Sequence, residues 1–273
     1  MIYSINNEYI KLSVNSFGAS MESLQYLGEE RLWQGGKAWA SRDVVIFPVV
    51  GHAGAYVAEG REFTPKSHGV ARYSEFSLVN IGESELTLEL SSNSETKLTY
   101  PYDFTLRVNY KLNRDAVKIS YEVKSKGGKI PFYLGSHAGM KAPRGEAVIE
   151  FENREDPVHF LLDRKEAVCL EGIRRFVLNK ELLKKFKTLQ FGSLSGGEIY
   201  AKTCDGYTYT YKSDCPIVAF WSNENEGDYV CVECWWGIND CHDFPKELAK
   251  KPFINFADEE GKSFSYTLRV SKE

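Results

Sequence analysis

Apolar residues recur at every second position along most of this chain, and that period limits the fold more than any other feature. Ile10, Leu12 and Val14 alternate with polar neighbours. So do Leu86, Leu88 and Leu90, then Phe104, Leu106, Val108, Tyr110 and Leu112, then Val117, Ile119, Tyr121 and Val123. Successive side chains of an extended strand point to opposite faces, so each run predicts a strand with one face on a core. Later strands are predicted at 207–211, 217–221, 229–234 and 264–270. Asn113-Arg114-Asp115 lies between two alternating runs as a hairpin turn, and Lys126-Gly127-Gly128-Lys129 reads as another loop. Helical signal is scarce. Leu178 to Phe186 carries Leu at 178, 182 and 183 with Asn179 as a cap, and 244–251 has room for one turn. The expectation is an all-β chain with few short helices, folded as one large antiparallel sandwich. No composition shift, proline-rich linker or repeat divides it, so residues 1–273 are expected to form a single domain.

A formal net charge of -4 leaves no basic footprint for a phosphate backbone, so nucleic acid is excluded as an expected partner and a small neutral ligand is favoured. The segment from Met1 to Glu8 has no basic stretch followed by an apolar one, and the longest apolar run, Val44 to Val50, is too short for a bilayer and is broken by Pro48. A cytoplasmic chain without membrane contact is expected. Its six cysteines are then most simply reduced thiols.

One carboxylate breaks the apolar character of Val230-Cys231-Val232-Glu233-Cys234-Trp235-Trp236-Gly237. A half-buried strand does not hold an ionised carboxylate without a reason. Glu233 is either paired structurally, or it is a general base with its pKa raised toward neutrality by its surroundings. Three other segments set ionisable groups beside glycine or ahead of an apolar run: Arg42 before Val44 to Val50, Ser67-His68-Gly69-Val70-Ala71-Arg72, and Gly135-Ser136-His137-Ala138-Gly139. Taken singly, a histidine beside glycine in a β protein is more often a hydrogen-bonded or surface residue than a catalyst. The tryptophans after Glu233 serve packing by default, with Trp236 the candidate for stacking on a ligand ring.

Cys231, Cys234, Cys241 and His242 have residue types that suit zinc. Strand geometry argues against it, because in an extended run Cys231 and Cys234 point to opposite faces, whereas a chelating pair needs a turn that converges both sulfurs. No Gly-x-Gly-x-x-Gly, phosphate-binding loop or Gly-x-Ser-x-Gly elbow is present. Acid–base chemistry by His and Glu remains.

In this order, Arg42 through Phe47-Pro48-Val49-Val50-Gly51, His68-Gly69-Val70-Ala71-Arg72 with Glu75-Phe76, Leu134-Gly135-Ser136-His137 and Cys231 through Gly237 resemble the aldose 1-epimerase (galactose mutarotase) family, within its LacX-like branch. The resemblance extends to Lys251-Pro252-Phe253 and Phe264-Ser265-Tyr266. It implies a β-supersandwich with a sugar cleft on its concave face. It also implies roles: Glu233 as general base, His137 as general acid, His68 supporting sugar and proton transfer, and Arg42 binding sugar hydroxyls. Two positions depart from the family pattern. Ala138-Gly139-Met140 replaces the usual Pro or Tyr and aromatic, and Thr188 stands where a sugar-binding Asp is expected.

Interconverting anomers needs one group to take the proton from the C1 hydroxyl and another to protonate the ring oxygen. A carboxylate and a histidine suffice, so no metal, nucleotide or other cofactor is expected. A glycosidase would need a second carboxylate flanking the bond, and only Glu233 has a persuasive context. The expected activity is therefore aldose 1-epimerisation of an aldohexose by a monomer or homodimer. The alternatives are a sugar-binding or regulatory protein that has lost catalysis, and a hexose-6-phosphate epimerase with Arg72 and Arg107 as candidate anion contacts.

Overall fold

The computed structural model describes residues 1–162 and 166–273. Among them, antiparallel sheets dominate. One sheet runs in the order Ile173–Leu178, Ala147–Glu155, Glu198–Lys202, Tyr207–Ser213, Lys262–Lys272, Ala116–Ser125, Phe104–Asn113, Glu85–Ser91, Ser77–Ile81. A second runs Ala167–Cys169, Val158–Phe160, Leu189–Gly192, Ile217–Trp221, Tyr229–Trp236, Leu134–Ser136, Val45–Ile46, with Gly139–Lys141 also paired to Tyr229–Trp236. A smaller sheet joins Ile2–Asn6, Ile10–Asn15, Ser20–Tyr26 and Glu29–Glu30.

The alternating residues behave as their period requires. Leu86, Leu88, Leu106, Val108, Val117 and Ile119 are fully buried, and they belong to one apolar cluster that also takes in Leu12, Val14, Phe220 and Val232 from the other sheets. That cluster joins the faces of the sheets into a layered core, so the all-β architecture follows directly from the pattern. Arg114-Asp115 forms the two-residue hairpin loop, with Asn113 opposite Ala116 and Arg114 at a φ of 54°.

The α-helix, Lys180–Phe186, is shorter than the leucine spacing suggested. Asn179 caps it, its side chain accepting a hydrogen bond from the Leu182 amide at 2.9 Å. Leu178 ends a strand instead, because its fully buried side chain belongs to the core beside Ala147. The 244–251 segment supplies a 3-10 turn at Leu248–Lys250. None of the described helices is long and apolar enough to cross a membrane.

Candidate functional site

Register brings the two principal candidates together. Gly135 pairs with Trp235 and Gly139 with Cys231, so the interrupted edge between these pairs sets residue 137 opposite residue 233. The interruption turns His137 out of the ladder, while its backbone is held by the Arg42–Val44 segment: Val44 N–H donates to the His137 carbonyl and Gly139 N–H to the Arg42 carbonyl. His137 Nδ1 lies 3.4 Å from Glu233 Oε1. The alignment falls short of a hydrogen bond, and Nδ1 is buried without another partner.

Glu233 is 1% exposed, and the indole N–H of Trp235 donates to its Oε2 at 3.1 Å. Burial lifts the carboxyl well above the usual carboxylate range, with the indole bond pulling the other way. His137 is driven in the opposite direction. Burial, reinforced by His68 and Arg72, holds it well below the ordinary histidine value.

His137 is clamped by rings. Trp39 stacks on it at 4.8 Å between centroids, and Trp221 and His68 meet it edge-on at 5.2 Å each. Gly139 makes this possible, because a Cβ there would lie 2.9 Å from the Trp39 ring and 3.3 Å from both Trp33 and Tyr229. The departure after His137 thus has a packing cause: small residues make room for an aromatic group that walls the cleft.

His68 reaches the same cleft through a left-handed turn, with φ of 61° at His68 and 79° at Gly69. Only glycine fits at 69, since a Cβ would sit 2.1 Å from the Phe47 carbonyl oxygen. Gly51 N–H donates to His68 Nδ1 at 3.2 Å, and His68 N–H donates to the Gly51 carbonyl at 2.9 Å. An accepting Nδ1 leaves Nε2 as the protonated, donating nitrogen of a neutral ring. Burial, then the charges of Arg72 and His52, push its pKa down to about 3.

Glu233, His137 and His68 share one cavity of about 400 Å³ with Thr188, Arg72 and Trp235. Three sequence candidates lie elsewhere. Trp236 is on the opposite face of its strand, packed in the core against Tyr121 and Phe264, so Trp235 replaces it at the cleft. Alternation made this legible, since Tyr229, Cys231, Glu233 and Trp235 share a parity. The Arg42 side chain pairs with Glu22 at 2.9 Å beside a neighbouring cavity of about 240 Å³, and Arg72 is the arginine that lines both. Arg107 is remote from either, bound to Glu89 and Glu122 on the larger sheet.

Asp240 was not anticipated. It lines the cavity and forms a buried ion pair with Lys251 at 2.5 Å. The suggested zinc set does not assemble: Cys231 and Cys234 face opposite sides of their strand, and exposed His242 pairs with Asp243.

A model of the aldose 1-epimerase family matches residues 1–155, more than half of the chain. The chain belongs to the aldose 1-epimerase family. It is 24% identical to the chromosomal LacX protein of Lactococcus lactis over 98% of this chain and 99% of that one. A galactose mutarotase related enzyme from Lactobacillus acidophilus superposes with a TM-score of 0.92 at 25% identity, covering 100% of this chain and 98% of its own. A galactose mutarotase-like protein from Lactobacillus casei gives 0.89 at 20% identity over 99% and 100% of the two chains. The fold of this aldose 1-epimerase family member is therefore galactose mutarotase-like.

Proposed function

We propose that this cleft binds a cyclic aldohexose and interconverts its α and β anomers. One observation carries the reading: a carboxyl and an imidazole face each other at 3.4 Å on a cavity wall, with burial pushing their pKa values in opposite directions. Burial thus favours the uncharged form of each group, a carboxylic acid beside a neutral imidazole. Moving one proton from Glu233 to His137 gives a carboxylate base and an imidazolium acid with no change in net charge. Burial sets that exchange uphill, and the opposite charges of the pair 3.4 Å apart offset part of the cost, so the ion pair is a reacting form and not the resting one.

In the forward direction Glu233 takes the proton of the C1 hydroxyl while His137 protonates the ring oxygen. The C1–O5 bond breaks, leaving an open-chain aldehyde that turns about C1–C2. The O5 hydroxyl then attacks the other carbonyl face, returning its proton to His137 while the C1 oxygen regains one from Glu233. His68, neutral and donating through Nε2, supports a sugar oxygen. Each positioned proton transfer is worth roughly 10² to 10⁴ in rate.

Polarimetry on freshly dissolved α-glucose and α-galactose tests this. The wild type accelerates the decay of rotation, and Glu233→Gln and His137→Asn each abolish the acceleration without loss of fold. Wild-type rates in both variants would sink the assignment. A second reading, an epimerase of hexose 6-phosphates, is favoured by Arg72, which lines the cavity with no carboxylate within salt-bridge distance among the described residues. A kcat/KM for glucose 6-phosphate well above that for glucose, lost in Arg72→Gln, would select it.

A further inference from the structure

We propose that His137, Cys231 and Glu233 form a site for zinc that inhibits the protein, the ion being an inhibitor and not a cofactor. One ligand atom from each residue lies within 4.8 Å of the other two, and all three residues are buried. His137 is 7% exposed, and its Nδ1, which faces Glu233, lacks any hydrogen-bond partner. An orphaned imidazole nitrogen inside a protein is an unmet demand for a proton donor or a cation.

The dimensions fit the ion. Zinc–nitrogen and zinc–oxygen bonds of about 2.0–2.2 Å put neighbouring ligand atoms of a tetrahedron roughly 3.3–3.6 Å apart. The observed separation of Nδ1 and Oε1 is 3.4 Å. A zinc–sulfur bond of about 2.3 Å asks for roughly 3.5 Å from sulfur to each of the others, so with all three atoms within 4.8 Å the Cys231 side chain needs to move by about 1.3 Å at most. His137 and Glu233 line the cavity, which leaves the fourth position open to water or a sugar hydroxyl.

The charges balance as well. A neutral imidazole, a thiolate and a carboxylate make a dianionic set that cancels the two positive charges of the ion, so no net charge is buried. The Cys231 thiol proton and the Glu233 carboxyl proton both leave to solvent, Glu233 binds as the carboxylate, and the ion gives up water. No electron is transferred. Soft thiolate and borderline imidazole favour zinc or cadmium over magnesium or calcium. Cys231 had been grouped by sequence spacing with Cys234, Cys241 and His242. Its true neighbours come from the strand register that sets 137 opposite 233.

Inhibition rests on the acid–base reading of the pair, but binding does not, so the two are measured separately. Cadmium is titrated into the full chain carrying Cys169→Ser and Cys204→Ser, which silences the two exposed thiols. Thiolate-to-cadmium ultraviolet absorption is followed, with zinc as competitor, and zinc is then added to the anomer-exchange assay. The expected result is one tight equivalent with a charge-transfer band, and loss of exchange on zinc addition. Cys231→Ala and Cys231→Ser keep the exchange activity. They lose the band and weaken binding at least about 100-fold, beyond the roughly 10–100-fold cost of losing a hydrogen-bond partner of a ligand. No band dependent on Cys231, or zinc inhibition undiminished in both variants, overturns the proposal. A Cys231-dependent band in a protein that exchanges no anomers keeps the metal site and overturns the catalytic reading instead.

Discussion

Acidification should cost this protein stability through His68, by an amount that can be worked out. The ring's pKa is lowered from 6.5 to about 3 by burial first, then by Arg72 and His52, with His137 facing it edge-on. As pH falls through about 6.5 the unfolded chain takes up a proton on this residue, whereas the folded chain does not until about pH 3. Between those values the unfolded state binds more protons, so stability falls with pH. From pH 7 to pH 4 the full effect is roughly 2.5 pH units at about 1.36 kcal/mol each, or ~3.4 kcal/mol. An edge of the ring meets the cleft, and screening there brings the expected loss to about 2 kcal/mol. His68→Asn removes the titrating ring while keeping an acceptor for Gly51 N–H and a residue that tolerates the left-handed backbone. Urea unfolding of both proteins at pH 7 and pH 4, followed by tryptophan fluorescence, reads the difference, since every other titrating group is present in both and only His137, held low first by its own burial, loses a neighbouring ring. The wild type should lose about 2 kcal/mol more than the variant. Equal losses, within about 0.5 kcal/mol, would mean that His68 is not held neutral and would remove its assignment as a donor to sugar.

Trp235→Phe deletes the hydrogen bond that favours ionised Glu233. It should raise the carboxyl's pKa further, move the alkaline limb of the pH–rate profile upward, and lower kcat by roughly 10–100-fold, the value of a bond to a charged group. Trp236→Phe, in the core, should leave the profile in place, and matching effects of the two would contradict the assignment of faces. Gly69→Ala adds a Cβ 2.1 Å from a backbone oxygen at a positive φ and should cost more than about 4 kcal/mol in denaturant unfolding. Gly60→Ala, at a φ of 70° with open space around it, should cost only about 1 kcal/mol. Lys251→Met leaves buried Asp240 without its cation and should lose roughly 3–5 kcal/mol, most of it recovered on adding Asp240→Asn. Failure of that recovery would show that the two act independently.

Local rules carried the fold a long way. Side-chain alternation is fixed by the pleat within a few residues, so the strands at 86–90, 104–112 and 117–123 and the hairpin at Arg114-Asp115 could be read directly. So could the Asn179 cap, which satisfies an amide three residues on. The same rule applied one step further would have chosen Trp235 over Trp236, because a carboxylate facing the cleft commits every second residue to that side. Leu178 was misread because leucine spacing alone does not tell a helix start from the buried end of a strand. Arg42 and Arg72 could not be ranked from the sequence, since long side chains go where ion partners and space allow, and Glu22 claims Arg42.

The sequence by itself determined an all-β chain and the strand carrying Glu233, properties set by neighbours along the chain, and its resemblance to a family nominated His68 and His137 beside Glu233. Only the tertiary structure decided that Gly135 meets Trp235 and Gly139 meets Cys231, which sets His137 against Glu233 across 96 positions of sequence (233 − 137). Trp39 and Trp221 closing over the imidazole, Asp240 entering the cavity and Cys231 joining the pair follow from that pairing. Strand register is a cooperative choice made by the whole core, and no local segment contains it.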